Sequence, residues 1–200
     1  MARKAWTRCS SSDRRVTYAK AREHVLGILP KGGVGAEIGV WKGDFSALIL
    51  RIAQPKTLHL IDPWQIREDK SHAKAWYGAA SGTDMDAVYQ GVRARFADQI
   101  SSGQVQFHRK TSREAASDLP DDGLDFVYVD GDHAYAGVSD DLELSFTKTR
   151  PGGLICIDDH MDGKWWGDGV IRATNELLGR HPRGLEVVLA YATQVVIKKR

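Results

Sequence analysis

Residues 35–46 read GAEIGVWKGDFS, a short apolar stretch that runs through two spaced glycines into a second apolar stretch. Residues 36–40 predict a strand and residues 45–52 a helix, so the segment between them is a strand-to-helix turn. Gly39 and Gly43 permit a close backbone approach and a tight entry into the helix. No glycine lies two residues before Gly39, so the glycine loop that holds a dinucleotide pyrophosphate is missing. The segment predicts one unit of an α/β protein and disfavours NAD as a ligand.

Strands and helices alternate in the same way along the rest of the chain. Further strands are predicted at 57–61, 104–108, 124–129 and 154–157, helices at 14–29, 112–117, 135–146 and 169–178, and a closing hairpin at 185–190 and 194–198. This alternation predicts an α/β fold, with a Rossmann-like, doubly wound, mostly parallel sheet and a C-terminal antiparallel hairpin. The length fits a single domain over residues 1–200, in which 1–31 form a basic N-terminal helical extension.

Composition and charge exclude several classes of protein. The chain carries 28 Lys and Arg against 26 Asp and Glu, and 42% of its residues are hydrophobic. These values are ordinary for a folded domain, and the apolar runs are far shorter than the ~20 residues that span a bilayer. The N-terminus lacks an apolar signal region, and Cys9 and Cys156 form no CxxC pair, so we expect a cytoplasmic protein without membrane contact. The basic N-terminal block lacks interleaved aromatic residues, which makes nucleic acid a disfavoured partner.

Acidic residues stand at the ends of four predicted strands. They are Glu37, Asp62, Asp130 and the pair Asp158 and Asp159. In an open parallel sheet, ligands bind beyond the carboxyl ends of the strands. Residues 118–147 contain nine Asp and Glu and no Lys or Arg, so some of these repelling charges require a counter-cation. One such acid can equally be a helix cap, but four together predict a binding site.

Asp62 follows Glu37 by 25 residues and ends the second predicted strand. A carboxylate at this position can accept hydrogen bonds from both hydroxyls of a ribose. The alternative is that Asp62 and Pro63 form only a turn.

Three motifs taken together resemble a known family. They are EIGVWKGDFS at 37–46, VDGDH at 129–133 and IDDH at 157–160, together with the Asp62 strand end. The chain resembles the class I S-adenosylmethionine-dependent methyltransferases over residues 33–160. Within that class it resembles the divalent-cation-dependent O-methyltransferases, and the macrolide and aminocoumarin sugar branch in particular.

The resemblance implies a role for each matching residue. The cofactor-binding positions are Glu37, Gly39, Val40, Gly43, Ser46, Asp62, Thr111, Ser112 and Asp130. Among them, Ser46 is expected to bond the cofactor carboxylate, Asp62 the ribose, and Thr111 with Ser112 the adenine. Asp130, Asp158 and Asp159 match the metal-ligand positions, and Asp132 matches the general base of the sugar-modifying branch. No lysine lies within 129–147, which departs from the catechol-type branch.

The chemistry of methyl transfer to a hydroxyl explains these residue types. An aliphatic hydroxyl is a poor nucleophile, and a divalent cation lowers its pKa and fixes its position. Carboxylates are hard oxygen ligands, which suit Mg²⁺ or Mn²⁺ better than zinc. A nearby carboxylate or imidazole then removes the proton, and Asp132, His133 and His160 are the candidates. We expect the acceptor to be a small molecule with a hydroxyl, such as a sugar or glycoside.

Other interpretations stay open at this point. The alternatives are a catechol or phenol O-methyltransferase, an NAD-binding oxidoreductase, and a non-catalytic cofactor-binding module. The Asp130–His133 stretch carries neither motif of the nucleic-acid methyltransferases, neither Asn/Asp-Pro-Pro-aromatic nor Pro-Cys. Trp165 and Trp166 are candidates for sugar contact, whereas His72 is expected to be structural. The sequence leaves open whether the chain forms a homo-oligomer.

Overall fold

A computed structural model describes residues 17–68, 72, 75 and 77–200. The helices are α1 (Tyr18–Ile28), α2 (Asp44–Ile52), α3 (Met85–Arg95), α4 (Ala97–Ser101), α5 (Ser112–Ala115), α6 (Tyr135–Lys148) and α7 (Gly169–Arg180). The strands are β1 (Val34–Ile38), β2 (Thr57–Ile61), β3 (Val105–His108), β4 (Leu124–Val129), β5 (Thr149–Ile157), β6 (Leu185–Tyr191) and β7 (Gln194–Lys199). Cys9 and the predicted start of the first helix at residue 14 lie outside the described residues.

The seven strands form one mixed sheet in the order β3-β2-β1-β4-β5-β7-β6. Strands β3, β2, β1, β4 and β5 run parallel to one another, and β7 pairs antiparallel with both β5 and β6. This arrangement confirms the predicted α/β fold class and its C-terminal hairpin. Strand β5 begins earlier than predicted, because Pro151 to Gly153 continue the strand instead of forming a turn before it.

Helices cover both faces of the sheet. Alternate residues of each strand point to opposite sides, so each face carries apolar side chains that a helix layer buries. In β4, Val127 and Val129 belong to one hydrophobic cluster and Phe126 and Tyr128 to the other. Helices α6 and α7 complete the first cluster, and α1, α2 and α3 the second. Cys156 is fully buried in the second cluster, which raises the pKa of its thiol.

The sheet order determines where a ligand can bind. Strands β2, β1, β4 and β5 are consecutive neighbours, so their carboxyl ends meet at one edge of the sheet. The strand order reverses between β1 and β4, where open α/β sheets form a ligand crevice. All four acidic strand ends of the sequence therefore converge on one region. In the described part of the chain, no helix combines the length and apolar character needed to cross a membrane.

Candidate functional site

A cavity of about 880 Å³ opens at this edge of the sheet. Of the predicted cofactor-binding residues, Glu37, Gly39, Val40, Asp62, Thr111, Ser112 and Asp130 line it. Asp132, His133 and Asp159 also line it, whereas Gly43, Ser46, Asp158 and His160 do not. The volume is near the upper end of ordinary ligand pockets, so a cofactor and a small second substrate have room together.

The Gly39 turn holds the backbone of β1 against that of β4. Gly39 has φ 88°, and a Cβ on it would lie 2.1 Å from the carbonyl oxygen of Asp130. The Gly39 amide donates to the carbonyl of Ile61, and the Asp130 amide donates to that of Ile38. Glycine is therefore required here to bring Asp130 to the cavity wall.

Asp62 organises the loops on the other side of the cavity. Its carboxylate accepts hydrogen bonds from the backbone amides of Val40 at 2.9 Å, Trp41 at 3.0 Å and Trp64 at 2.6 Å. Trp41 and Trp64 both have positive φ, at 52° and 43°, so these bonds stabilise a strained backbone. Burial raises the pKa of Asp62 although the three amides oppose the shift.

Glu37 is fully buried at the floor of the cavity. The Ser46 hydroxyl donates to Glu37 Oε2, while Glu37 Oε1 has no hydrogen-bond partner. Burial raises the pKa of Glu37 well above its usual range. Ser46 thus holds Glu37 instead of facing the cavity, contrary to the role that the resemblance implied. The unpartnered Oε1 atom requires a donor, which a bound ligand can supply.

Asp141 on α6 is a cavity residue that the sequence interpretation missed. It is 5% exposed, and its Oδ2 atom has no hydrogen-bond partner. Burial raises its pKa to about 7, although a hydrogen bond with Ser112 opposes the shift. Thr111, in contrast, is committed to capping α5 through a reciprocal bond with Glu114. Ser112 and Asp141 therefore form the polar corner of the cavity near the end of β3.

Asp132 is held in a fixed orientation on the cavity wall. His72 Nε2 lies 2.9 and 3.0 Å from its two carboxylate oxygens, and the Ala134 amide donates to Oδ1 at 2.9 Å. The Tyr77 hydroxyl donates to the same oxygen at 3.4 Å. A Cβ on Gly137 would lie 2.5 Å from Asp132 Cβ, so glycine makes room for this side chain. His72 therefore positions a predicted functional residue.

Asp130 and Asp158 share a cation from the N-terminal helix. Arg22 Nη2 forms ion pairs with Oδ2 of both carboxylates. The Tyr18 hydroxyl accepts a hydrogen bond from Arg22 at 2.6 Å and donates to Asp158 Oδ2 at 2.7 Å. Burial and the charge of Asp158 raise the pKa of Asp130 to about 7, while Arg22 opposes the shift. Arg22 supplies part of the counter-charge that the acidic sequence required.

His133 lies between two of the strand-end acids. Its Nε2 atom lies 3.4 Å from Asp159 Oδ2 and 3.7 Å from Asp130 Oδ1. Burial lowers the pKa of His133, but Asp159 and Asp130 outweigh it and raise the pKa overall. His133 thus faces two of the strand-end acids, and its role as a base stays a prediction. His160 stands away from the cavity lining, and burial lowers its pKa.

The predicted Mg²⁺ or Mn²⁺ site at Asp130, Asp158 and Asp159 is not shown by the structure. Within the described residues, no group of three or more His, Cys, Asp or Glu side chains is arranged to hold a metal ion. The oxygens of Asp158 are occupied by protein donors, and its side chain is 0% exposed. The donor chemistry suits a hard cation, but the arrangement does not fit one, because Arg22 lies between two of the carboxylates.

Tryptophans pack behind the polar residues of the cavity. Trp165 lies 5.1 Å from His72 and Trp166 lies 4.8 Å from His133, measured between ring centroids. Neither of the two lines the cavity, so the sugar contact considered for this pair is not shown. Trp64 is a core residue at 1% exposure, and its Nε1 donates to the carbonyl of Trp41.

Comparisons with known proteins support the fold and show the family. A family model described as a methyltransferase domain matches residues 36–160. The O-methyltransferase NovP has a similar structure, with a TM-score of 0.61, 21% identity, and coverage of 90% of this chain and 76% of that one. The O-methyltransferase TomG from Streptomyces achromogenes, involved in tomaymycin synthesis and solved with S-adenosylmethionine, has a TM-score of 0.60 at 17% identity, with coverage of 92% and 81%.

A curated relative is also similar in sequence. The uncharacterized protein R132 of Acanthamoeba polyphaga mimivirus is 27% identical over 146 residues, which is 71% of this chain. The chain spans 58% of the length of that relative.

Proposed function

The chain belongs to the methyltransferase domain family, and on that premise we propose that it transfers the methyl group of S-adenosylmethionine to a hydroxyl oxygen of a small polar molecule. The observation that carries the proposal is the Asp132 carboxylate, which His72 holds on the wall of a cavity lined by the family's cofactor positions. The acceptor oxygen attacks the methyl group of the sulfonium by in-line displacement. Because the hydroxyl loses its proton in this step, the reaction needs a base beside the acceptor oxygen.

Two buried carboxylate oxygens that lack a hydrogen-bond partner support an orientation for the cofactor. Glu37 Oε1 accepts from the ammonium group of the methionine part, and this positive charge opposes the burial that raises the pKa of Glu37. Asp62 faces the ribose hydroxyls. Asp141 Oδ2, beside Ser112, accepts from the exocyclic amino group of adenine. The cofactor thus supplies donors to two buried atoms that have none in the protein.

The proposed reaction places Asp132 beside the acceptor hydroxyl. The hydroxyl oxygen attacks the methyl carbon, the bond from that carbon to sulfur breaks, and its electron pair stays on sulfur. The hydroxyl proton moves to Asp132, and the products are the methyl ether and neutral S-adenosylhomocysteine. His72 keeps the accepting oxygens aimed at the cavity, and Trp165 packs against His72. No step passes through a divalent cation, because Arg22 already pairs with Asp130 and Asp158.

The cavity lining supports a polar acceptor. Arg67 and Tyr77 lie beside Asp132, and Tyr18, Gln65 and Thr193 add hydrogen-bonding side chains elsewhere on the lining. A molecule with several hydroxyls, such as a sugar or glycoside, can use these groups, whereas a phenol offers few matching donors and acceptors.

The experiment is a methyl-transfer assay with S-adenosylmethionine labelled in its methyl group. Partly methylated sugars, glycosides, phenols and catechols are offered in parallel, and products are located by mass spectrometry. We expect label on a hydroxyl oxygen of a sugar or glycoside. Transfer to phenols alone would overturn the proposed acceptor class. Transfer to nitrogen or carbon alone would overturn O-methylation, although the cofactor assignment would stand.

A further inference from the structure

Arg22 and His133 alternate with three carboxylates beside the cavity, in the order Asp159, His133, Asp130, Arg22 and Asp158. We propose that Arg22 is a built-in counter-cation that takes the metal position of the O-methyltransferases the sequence resembles, so that this protein binds no Mg²⁺ or Mn²⁺ there. The inference concerns the metal and Arg22 alone, and it holds whatever molecule is methylated.

The acceptor sites of Asp158 are fully used. A carboxylate has about four lone-pair sites. Oδ1 accepts from the Asp159 amide and from Gln194 Nε2, and Oδ2 accepts from Tyr18 and Arg22. The Gln194 amide is itself oriented, because the Tyr128 hydroxyl donates to Gln194 Oε1 at 2.6 Å. A metal ion would have to break one of these bonds to reach Asp158.

The guanidinium is held from several sides. Its central carbon lies 4.4 Å from the Tyr18 ring centroid and 4.6 Å from that of Phe45, which are cation–π distances. The Arg22 side chain is 16% exposed. Burial opposes its charge, but Asp130 and Asp158 outweigh burial and raise its pKa. Arg22 is therefore a permanent charge in a fixed place.

The helix that carries Arg22 is anchored in the core. Ala21, Val25 and Leu26 of α1 are at most 1% exposed, and they flank Arg22 in the sequence. The His24 and Tyr191 rings, 4.8 Å apart, tie the same helix to the end of β6. Core packing therefore fixes the backbone from which Arg22 reaches the two carboxylates.

A guanidinium in place of a metal ion changes the chemistry of the site. Mg²⁺ requires near-octahedral oxygen ligands at about 2.0–2.1 Å and can bind an acceptor oxygen directly. A guanidinium instead donates hydrogen bonds in a fixed plane, and it leaves the pKa of a hydroxyl far less changed. Arg22 thus fixes the positions of Asp130 and Asp158 as a positioning residue, and proton removal falls to Asp132.

The test is Mn²⁺ binding to the full chain, measured by calorimetry and by the electron paramagnetic resonance of free Mn²⁺. We expect no saturable binding to the wild type, and activity unchanged in EDTA. The variant Arg22→Met keeps the apolar stem and removes the charge. We therefore expect it to bind Mn²⁺ saturably and at least tenfold more tightly than any residual binding to the wild type. Asp158→Asn in that background should remove the binding, and Arg22→Lys should restore exclusion.

Saturable Mn²⁺ binding to the wild type that a folded Asp158→Asn single variant abolishes would overturn the inference. Failure of folded Arg22→Met to bind Mn²⁺ would overturn it too, because Arg22 would then not occupy a latent metal position. A cooperative thermal unfolding transition verifies that each variant is folded. Since metal binding and methyl transfer are read separately, either proposal can fail without the other.

Discussion

His72 Nε2 lies within 3.0 Å of both carboxylate oxygens of Asp132, although 60 residues separate them in the chain. His72 is 2% exposed and packs against the rings of Tyr77 and Trp165. The pair therefore places an oriented carboxylate on the cavity wall with a buried donor behind it. Proton removal by such a group is the step on which the proposed reaction depends.

Asp132→Asn should lower kcat by about 10²- to 10⁴-fold, because the amide cannot take the acceptor proton. The dissociation constant of S-adenosylhomocysteine should stay within about twofold, because Asp132 serves the acceptor side. Steady-state kinetics and calorimetry measure the two effects. Asp98→Asn, at an exposed site on α4, is the charge-matched control. A variant with unchanged kcat would remove Asp132 as the base.

His72→Phe should have a smaller effect on the same rate. Loss of one orienting hydrogen bond costs about 1 kcal/mol, which corresponds to a rate decrease of roughly fivefold. The effect should largely disappear in the Asp132→Asn background, because His72 acts through Asp132. Additive losses in the double variant would contradict this positioning role.

Glu37→Gln should weaken cofactor binding. The buried Oε1 atom has no partner in the protein, and a charged hydrogen bond to the ligand contributes about 1.5–3 kcal/mol. We expect S-adenosylhomocysteine to bind about 10- to 100-fold more weakly by calorimetry. Asp44→Asn is the control, because Asp44 also lines the cavity but its side chain is 81% exposed. Equal losses in the two variants would point to a general charge effect.

The strands were predictable because each is a short apolar run bounded by turn residues. Thr57–Ile61 and Leu124–Val129 form strands with the bounds that the sequence predicted. The acids that follow them converge as expected, because the carboxyl ends of neighbouring parallel strands share one edge. Local pattern and sheet topology together thus predicted the place of the site.

The partners of those acids were not predictable from local pattern. Arg22 reaches Asp130 across 108 residues, and Gln194 reaches Asp158 across 36. Such pairs depend on how α1 and β7 pack against the sheet, which periodicity does not encode. Ser46 illustrates the same limit, since its spacing matched the family while its hydroxyl bonds Glu37.

Gly39→Ala should destabilise the protein by about 3 kcal/mol or more. A positive φ alone costs a non-glycine residue about 1–2 kcal/mol, and the new Cβ would lie 2.1 Å from the carbonyl oxygen of Asp130. Gly103→Ala is the matched control, because Gly103 has φ 76° with nothing within 4 Å of the added Cβ. Urea unfolding should give a loss of only about 1–2 kcal/mol for the control. Similar losses in both would mean that the contact with Asp130 is unimportant.

Asp141→Asn should stabilise the cofactor-free protein at alkaline pH. Burial raises the pKa of Asp141 to about 7 in the folded state, against an ordinary value of 3.8. The folded state therefore binds more protons than the unfolded state between these values, and stability falls as the pH rises from about 4 to 7. The variant lacks this titration, so its advantage should be near zero at pH 4.

Above pH 7 that advantage should level off, at no more than about 4 kcal/mol, since each pKa unit corresponds to about 1.4 kcal/mol. Urea unfolding at pH 5 and pH 8 measures it. Asp140→Asn is the control on the same helix, because the Asp140 side chain is 39% exposed and pairs with exposed Arg113. An advantage of Asp141→Asn that did not grow with pH would show that Asp141 is ionised without cost in the folded protein.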